Sequence, residues 1–203
     1  MTIFLASGNR HKQDEIAQIF SPNEILIPAD RGIKFDPEET GATFVENSLI
    51  KARTLWNIVQ VPVIADDSGI CVDLLDGAPG IYSARYAGSD DIKGVKISTK
   101  LDSNERNKIL IEQTNIGLKA FRNKNPTVTH SDMELRSCRF VCAMVLYFGN
   151  EKFYVVQETL EGNLVSSIND SAGSGGFGYD PVVYLPSFNK TVAELSENQK
   201  NSI

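Results

Sequence analysis

Four carboxylates dominate the chemistry that this chain can offer. Glu38 and Glu39 sit side by side in the loop Phe35-Asp36-Pro37-Glu38-Glu39-Thr40-Gly41, and Asp66 and Asp67 directly follow the apolar run Val63-Ile64-Ala65. Acids that abut a buried strand lose hydration, so a cation is expected beside them. Such a set suits a hard ion such as Mg²⁺, which takes one or two protein carboxylates and fills its octahedron with water and phosphate oxygens. For Glu38 and Glu39 alone, two solvated acids in a Pro/Gly turn fit as well. Lys51 stands off the apolar stripe of the following helix, either as a phosphate contact or as an ordinary surface lysine.

Two further segments can bind anions or bases. In Ser7-Gly8-Asn9-Arg10-His11-Lys12 small residues precede a helix start, where unpaired N–H groups and the Lys12 charge suit a phosphate; a capped turn with a solvated lysine is the alternative. The G-x-x-x-x-G-K-[ST] spacing of a Walker loop is absent. Gly173, Gly175 and Gly178 match G-x-G-x-x-G, yet Pro181 and a strand follow where a dinucleotide fold needs a helix. A cleft-lining loop fits better, with Phe177 offering a flat face to a base and Asp180 an acceptor; a flexible glycine turn with a core Phe is the other possibility. Ser48 and Lys51 satisfy S-x-x-K, but the S-D-N and K-T-G companions of penicillin-binding enzymes are missing.

The elements that must hold these residues are legible from periodicity. Thr2 to Ala6 reads as a buried strand that turns at Ser7-Gly8-Asn9 into a helix. Thr43 and Glu46 form a capping box, and Val45, Leu49, Ala52, Trp56 and Val59 draw one stripe down a helix to about Gln60, with Asn47 and Lys51 together on another face. Val63 to Ala65 is a short central strand, which puts Asp66 and Asp67 at its end. Residues 93–137 are polar and read as a surface insertion with one helix around Glu105 to Leu118. Arg139 to Phe148 and Phe153 to Glu158 read as two strands joined at Gly149-Asn150, Leu164 to Ile168 as a third, and a last helix is expected from Thr191.

Composition excludes several classes. With 203 residues, 41% hydrophobic and 23% charged, one compound α/β domain is the default. No apolar run approaches the ~20 residues of a membrane helix, and the N-terminus lacks a secretory pattern, so a cytoplasmic protein is expected. A net charge of −6 argues against a nucleic-acid partner. Cys71, Cys138 and Cys142 are expected as reduced thiols, the last two as core residues on one strand face about 13 Å apart.

Taken together, A-S-G-N-R-H-K, E-E-T-G-A-T-F-V-E-N-S-L-I-K-A, A-D-D-S-G-I-C-V-D-L-L-D-G-A-P-G-I-Y-S-A-R-Y-A-G, G-S-G-G-F-G-Y-D-P and T-V-A-E-L-S-E-N-Q-K-N-S-I closely resemble the inosine triphosphate pyrophosphatase family, in family order over nearly the whole chain. The resemblance implies a two-lobed α/β fold around a long mixed β-sheet with a substrate cleft between the lobes, a homodimer, and Mg²⁺-dependent hydrolysis of ITP, dITP and XTP. By position it implies that Ser7, Gly8, Asn9, Arg10, His11 and Lys12 hold the triphosphate, that Lys51 contacts it, and that Glu38 and Asp67 bind the metal. Asp67 would also activate water. Ser68, Phe177, Gly178, Tyr179, Asp180 and Lys200 would contact the nucleotide, Phe177 by stacking on the base. In the family, Ser-His-Arg and a closing helix follow the position of Ile203; a chain cut short there is the expectation. A nucleotide sensor without turnover, or a Maf-like pyrophosphatase of different base preference, are the competing readings.

Overall fold

The best-marked helix of the sequence forms around its capping box. In the computed structural model, which describes residues 1–88, 96–98, 101–176, 178–200 and 202 but not the His11 side chain, Thr43 Oγ1 accepts from the Glu46 N–H at 3.1 Å. The Glu46 carboxylate accepts from the Thr43 N–H at 3.1 Å in return. Helix α2 (Phe44–Val59) runs from there to Gln60, whose φ of 56° ends it. In chain order it follows β1 (Thr2–Leu5), α1 (Arg10–Ile19) and β2 (Glu24–Leu26), and precedes β3 (Val63–Val72), α3 (Ser103–Lys124), α4 (Asp132–Leu135), β4 (Ser137–Tyr147), β5 (Phe153–Leu164), β6 (Val183–Leu185), β7 (Lys190–Thr191) and α5 (Glu197–Lys200).

The strands pair in the order β2-β1-β3-β4-β5-β6-β7. β1 is parallel to both β2 and β3, whereas β6 is antiparallel to β5 and β7, which makes the mixed sheet expected from the sequence. The chain divides into two compact units, Met1–Ser68 with Cys142–Glu158, and Gly69–Val141 with Thr159–Ile203.

In the first unit strand alternation sorts the core onto two faces. Ile3, Leu5 and Ile64 meet Ile16 of α1 together with Ile25 and Ile27. Phe4, Ala6, Val63 and Ala65 meet Ala52 and Leu55 of α2 and Val145 and Tyr147 of β4. Each Leu or Ile so buried contributes roughly 1.5–3 kcal/mol. The second unit gathers Ile70, Val72, Leu110, Ile111, Cys138, Leu164, Val182, Val183 and Leu185.

Five expectations need correction. β3 does not stop at Ala65 but continues to Val72, because Asp66 and Asp67 are buried with partners and Gly69 to Val72 supply a second apolar stretch. The polar stretch 93–137, of which 93–95 and 99–100 lie outside the described residues, holds the 22-residue α3, with Leu110, Ile111, Thr114 and Leu118 buried. The Thr191/Glu194 box caps only the 3-10 turn Val192–Glu194, and Leu164 ends β5 rather than opening another strand. On β4 the burial phase slips by one residue between Cys138 and Val141, so Cys138 is buried while Cys142 is exposed.

Candidate active site

Because consecutive strand residues point to opposite faces, β3 separates the two aspartates that the sequence sets side by side. Asp66 follows Ile64 toward α1 and pairs with Lys12. Asp67 follows Val63 and Ala65 toward α2, where Asn47 Nδ2 donates to its Oδ2 at 3.1 Å and Lys51 Nζ lies 3.4 Å from its Oδ1. Lys51 also meets Glu39 Oε1 at 3.0 Å. Asn47 and Lys51 are one turn apart on α2, so a single helix face addresses both oxygens of Asp67.

Two carboxylates thus share the Lys51 ammonium. Burial pushes the Asp67 carboxyl above its ordinary value and Glu39 adds to the rise, while Lys51 and the Asn47 amide pull it down. A desolvated carboxylate in this position can accept a proton or ligate a hard cation. Of the two loop acids, the structure draws Glu39 onto Lys51 and leaves Glu38 exposed. Among the described residues no group of three or more His, Cys, Asp and Glu forms a closed metal cage. Mg²⁺ asks for less, and the all-oxygen donors of Asp67 and the acidic loop suit it.

The Ser7–Lys12 segment links β1 to α1 by short bonds of its own. The Ser7 N–H donates to Leu5 O at 2.8 Å, and the Asn9 N–H donates to Ser7 Oγ at 3.1 Å. Arg10, largely exposed, is drawn to Asp30 and Gln13. At Gly8 an added Cβ would meet nothing within 4 Å, so internal packing does not demand glycine there. The His11 side chain lies outside the described parts of the chain.

In the second unit the glycine loop lies against the backbone after β7. Gly175 N–H donates to Ala193 O at 3.1 Å, and a Cβ on Gly173 would stand 2.4 Å from the Ala193 carbonyl carbon. At Gly176, where φ is 79°, a Cβ would fall 1.8 Å from Asp180 Oδ2; that oxygen is 3.2 Å from Lys200 Nζ. Gly178 O accepts from Asn107 Nδ2 of α3 at 3.2 Å. Tyr179 turns its ring into the core and donates its hydroxyl to Ser83 O at 2.8 Å, and burial pushes that phenol upward. Phe177 lies outside the described residues, and Ser68 is exposed on β3.

Asn47 is the residue whose part sequence reasoning missed. Its spacing from Lys51 put both on one helix face, but only the fold shows its amide between Asp67 and the Gly41 N–H, which reaches Asn47 Oδ1 at 2.8 Å. Ser48, the serine of the S-x-x-K match, is buried and donates to Ala143 O at 2.7 Å, a structural bond.

Known proteins agree with this architecture. The chain is 47% identical over 203 residues to the dITP/XTP pyrophosphatase of Treponema denticola, covering all of this chain and 91% of that protein. To the protein of the same name from Treponema pallidum strain Nichols it is 38% identical and spans 65% of its length. A HAM1 protein from Coxiella burnetii superposes with a TM-score of 0.81 at 30% identity, and the Staphylococcus aureus Ham1 protein with 0.71 at 32%; each match covers this whole chain and 91% of the other. With the Ham1 family model matching residues 3–203, the chain belongs to the Ham1 family.

Proposed function

We propose that this chain hydrolyses the purine triphosphates ITP, dITP and XTP to the nucleoside monophosphate and pyrophosphate, clearing them from the nucleotide pool. The observation that carries the proposal is the desolvated Asp67 carboxylate, held by Asn47 and Lys51 in a chain 47% identical to a dITP/XTP pyrophosphatase. Water attacks the α-phosphorus in line, its proton passes to Asp67, and the bond to the bridging oxygen breaks as pyrophosphate leaves. Lys51 and Lys12 neutralise the charge that grows on the leaving group. Glu38 and Asp67 are the residues that would hold Mg²⁺, which when bound polarises the phosphoryl oxygens and screens their charge. Ser7 to Lys12 hold the triphosphate; Ser68, Phe177, Gly178, Asp180 and Lys200 contact the nucleotide, Tyr179 through its backbone.

The same proposal includes a cytoplasmic homodimer. Exposed Phe148, Phe153, Tyr154, Val155 and Val156 supply apolar surface for self-association, and sedimentation at twice the 22.3 kDa chain mass is the expected result. Pyrophosphate release, coupled to inorganic pyrophosphatase, is to be measured over ITP, XTP, dITP, ATP, GTP and TTP with and without EDTA. Preference for the first three, abolished by the chelator and restored by Mg²⁺, is expected. Binding of ITP without turnover would make the protein a nucleotide sensor instead, and a preference for TTP would make it Maf-like.

A further inference from the structure

We infer that Asn47 is a positioning residue for the reaction: its amide ties the Asp67 carboxylate to the backbone of the acidic loop and fixes the carboxylate's orientation. This rests on the role proposed above for Asp67. Asn47 is 1% exposed and spends both ends of its side-chain amide. The Gly41 N–H can only donate, so the group 2.8 Å from it must be Asn47 Oδ1. The other end of the amide, 3.1 Å from Asp67 Oδ2, is therefore the NH₂, and it donates to the carboxylate. The backbone donor fixes the flip of this amide.

Three neighbouring features make the link rigid. A Cβ on Gly41 would lie 2.7 Å from Asn47 Oδ1 and 2.7 Å from Glu46 Cβ, so glycine lets the loop come this close. The Thr43/Glu46 box fixes the start of α2 one turn before Asn47. One turn after it, Lys51 grips the other Asp67 oxygen and Glu39. Two residues of one helix face therefore join Asp67 to the loop through Glu39 and Gly41. The division of labour is chemical. Lysine lowers the basicity of the carboxylate by charge, whereas a neutral amide orients it with a smaller electrostatic effect. Groups that hydrogen-bond a functional carboxylate in this way commonly change activity about 10–100-fold when replaced.

Asn47→Asp separates positioning from packing. It keeps the shape and an acceptor for the Gly41 N–H, but it removes the donor to Asp67 and sets a second carboxylate against it. The expected result is a roughly 10–100-fold lower kcat with KM for dITP within about threefold of wild type, a melting temperature lowered by the second buried carboxylate, and, in the folded protein, Gly41 amide hydrogen exchange as slow as in wild type. Asn47→Ala, which loses both bonds, serves as the second variant: Gly41 exchange accelerates and kcat falls at least as far in the folded protein. A wild-type kcat in Asn47→Asp would overturn the positioning role, as would Gly41 exchange equally fast in wild type and Asn47→Ala. Asp67→Asn is measured in the same series. Wild-type turnover there would instead sink the role given to Asp67, while Gly41 exchange still reports whether the tether exists.

Discussion

Lys51 carries an unequal load, since two carboxylates, Glu39 at 3.0 Å and Asp67 at 3.4 Å, face one ammonium. Lys51→Met would leave both acids without that charge and remove a phosphate contact, and we expect kcat/KM for dITP to fall about 100–1,000-fold, the loss typical of removing one donor from a developing anion. An unchanged kcat/KM would detach Lys51 from the chemistry. Asp67→Asn, which cannot take a proton, should lower kcat by about 10²–10⁴ at an unaltered melting temperature. Thiols offer an independent check of local geometry. Burial pushes Cys138 up to about 12, so it should resist a disulfide reagent at pH 8 until the chain unfolds, whereas exposed Cys142 should react slowly in the native state. Residue types alone brought out the Asp66-Asp67 pair and Lys51 as candidates, because acids after an apolar run and a lysine off the stripe are both visible in one dimension, and only the family resemblance singled out Asp67. They could not divide Asp66 from Asp67, since which face each takes depends on β3 running past them, nor could they choose between Glu38 and Glu39 as the partner of Lys51.

At the scale of elements, local signals held where they were strong and failed where tertiary burial decided. The capping box and stripe of α2 were legible to within a residue of its observed ends. The sequence of α3 is polar over most of its length and reads as a surface insertion, yet Leu110 is 0% exposed and lies within the core of the second unit. Leu110→Ala should therefore cost about 2–5 kcal/mol in denaturant unfolding; a loss under about 0.5 kcal/mol would return α3 to the surface. The turn Pro28–Arg31 makes a separate, pH-dependent prediction. The Ile27 N–H first, and then Arg10, hold the Asp30 carboxyl below its ordinary value of 3.8. A depressed native value stabilises the fold above the unfolded value, and that stabilisation disappears as pH falls through the native one. The melting temperature of wild type should exceed that of Asp30→Asn by a constant margin from about pH 7 to 5, and the margin should close below pH 3.8. A gap that widens in acid would contradict the assignment.

For the molecule as a whole, the order of the sequence blocks was enough, through the family resemblance, to anticipate a two-lobed fold around a mixed β-sheet, whereas the place of the division into two compact units was not readable. Its borders, after Ser68, Val141 and Glu158, fall inside β3, β4 and β5, where no linker composition marks them. Net charge was readable, and it sets two effects against each other. A chain of net charge −6 repels a triphosphate at long range, while its lysines attract it at contact. Salt screens the first more than the second, because the Debye length is about 10 Å at 0.1 M and Lys51, only 13% exposed in its side chain, is partly shielded from ions. Raising salt from about 0.05 to 0.2 M should therefore change kcat/KM for dITP by less than about threefold. A protein that held its ligand on an open basic face would lose far more, since neutralising six phosphates gives losses near 10³ over that range. By the same reasoning the protein should fail to retain duplex DNA at about 0.05 M salt in a gel-shift titration, and a shifted band that disappears with added salt would reveal a basic surface that the net charge conceals.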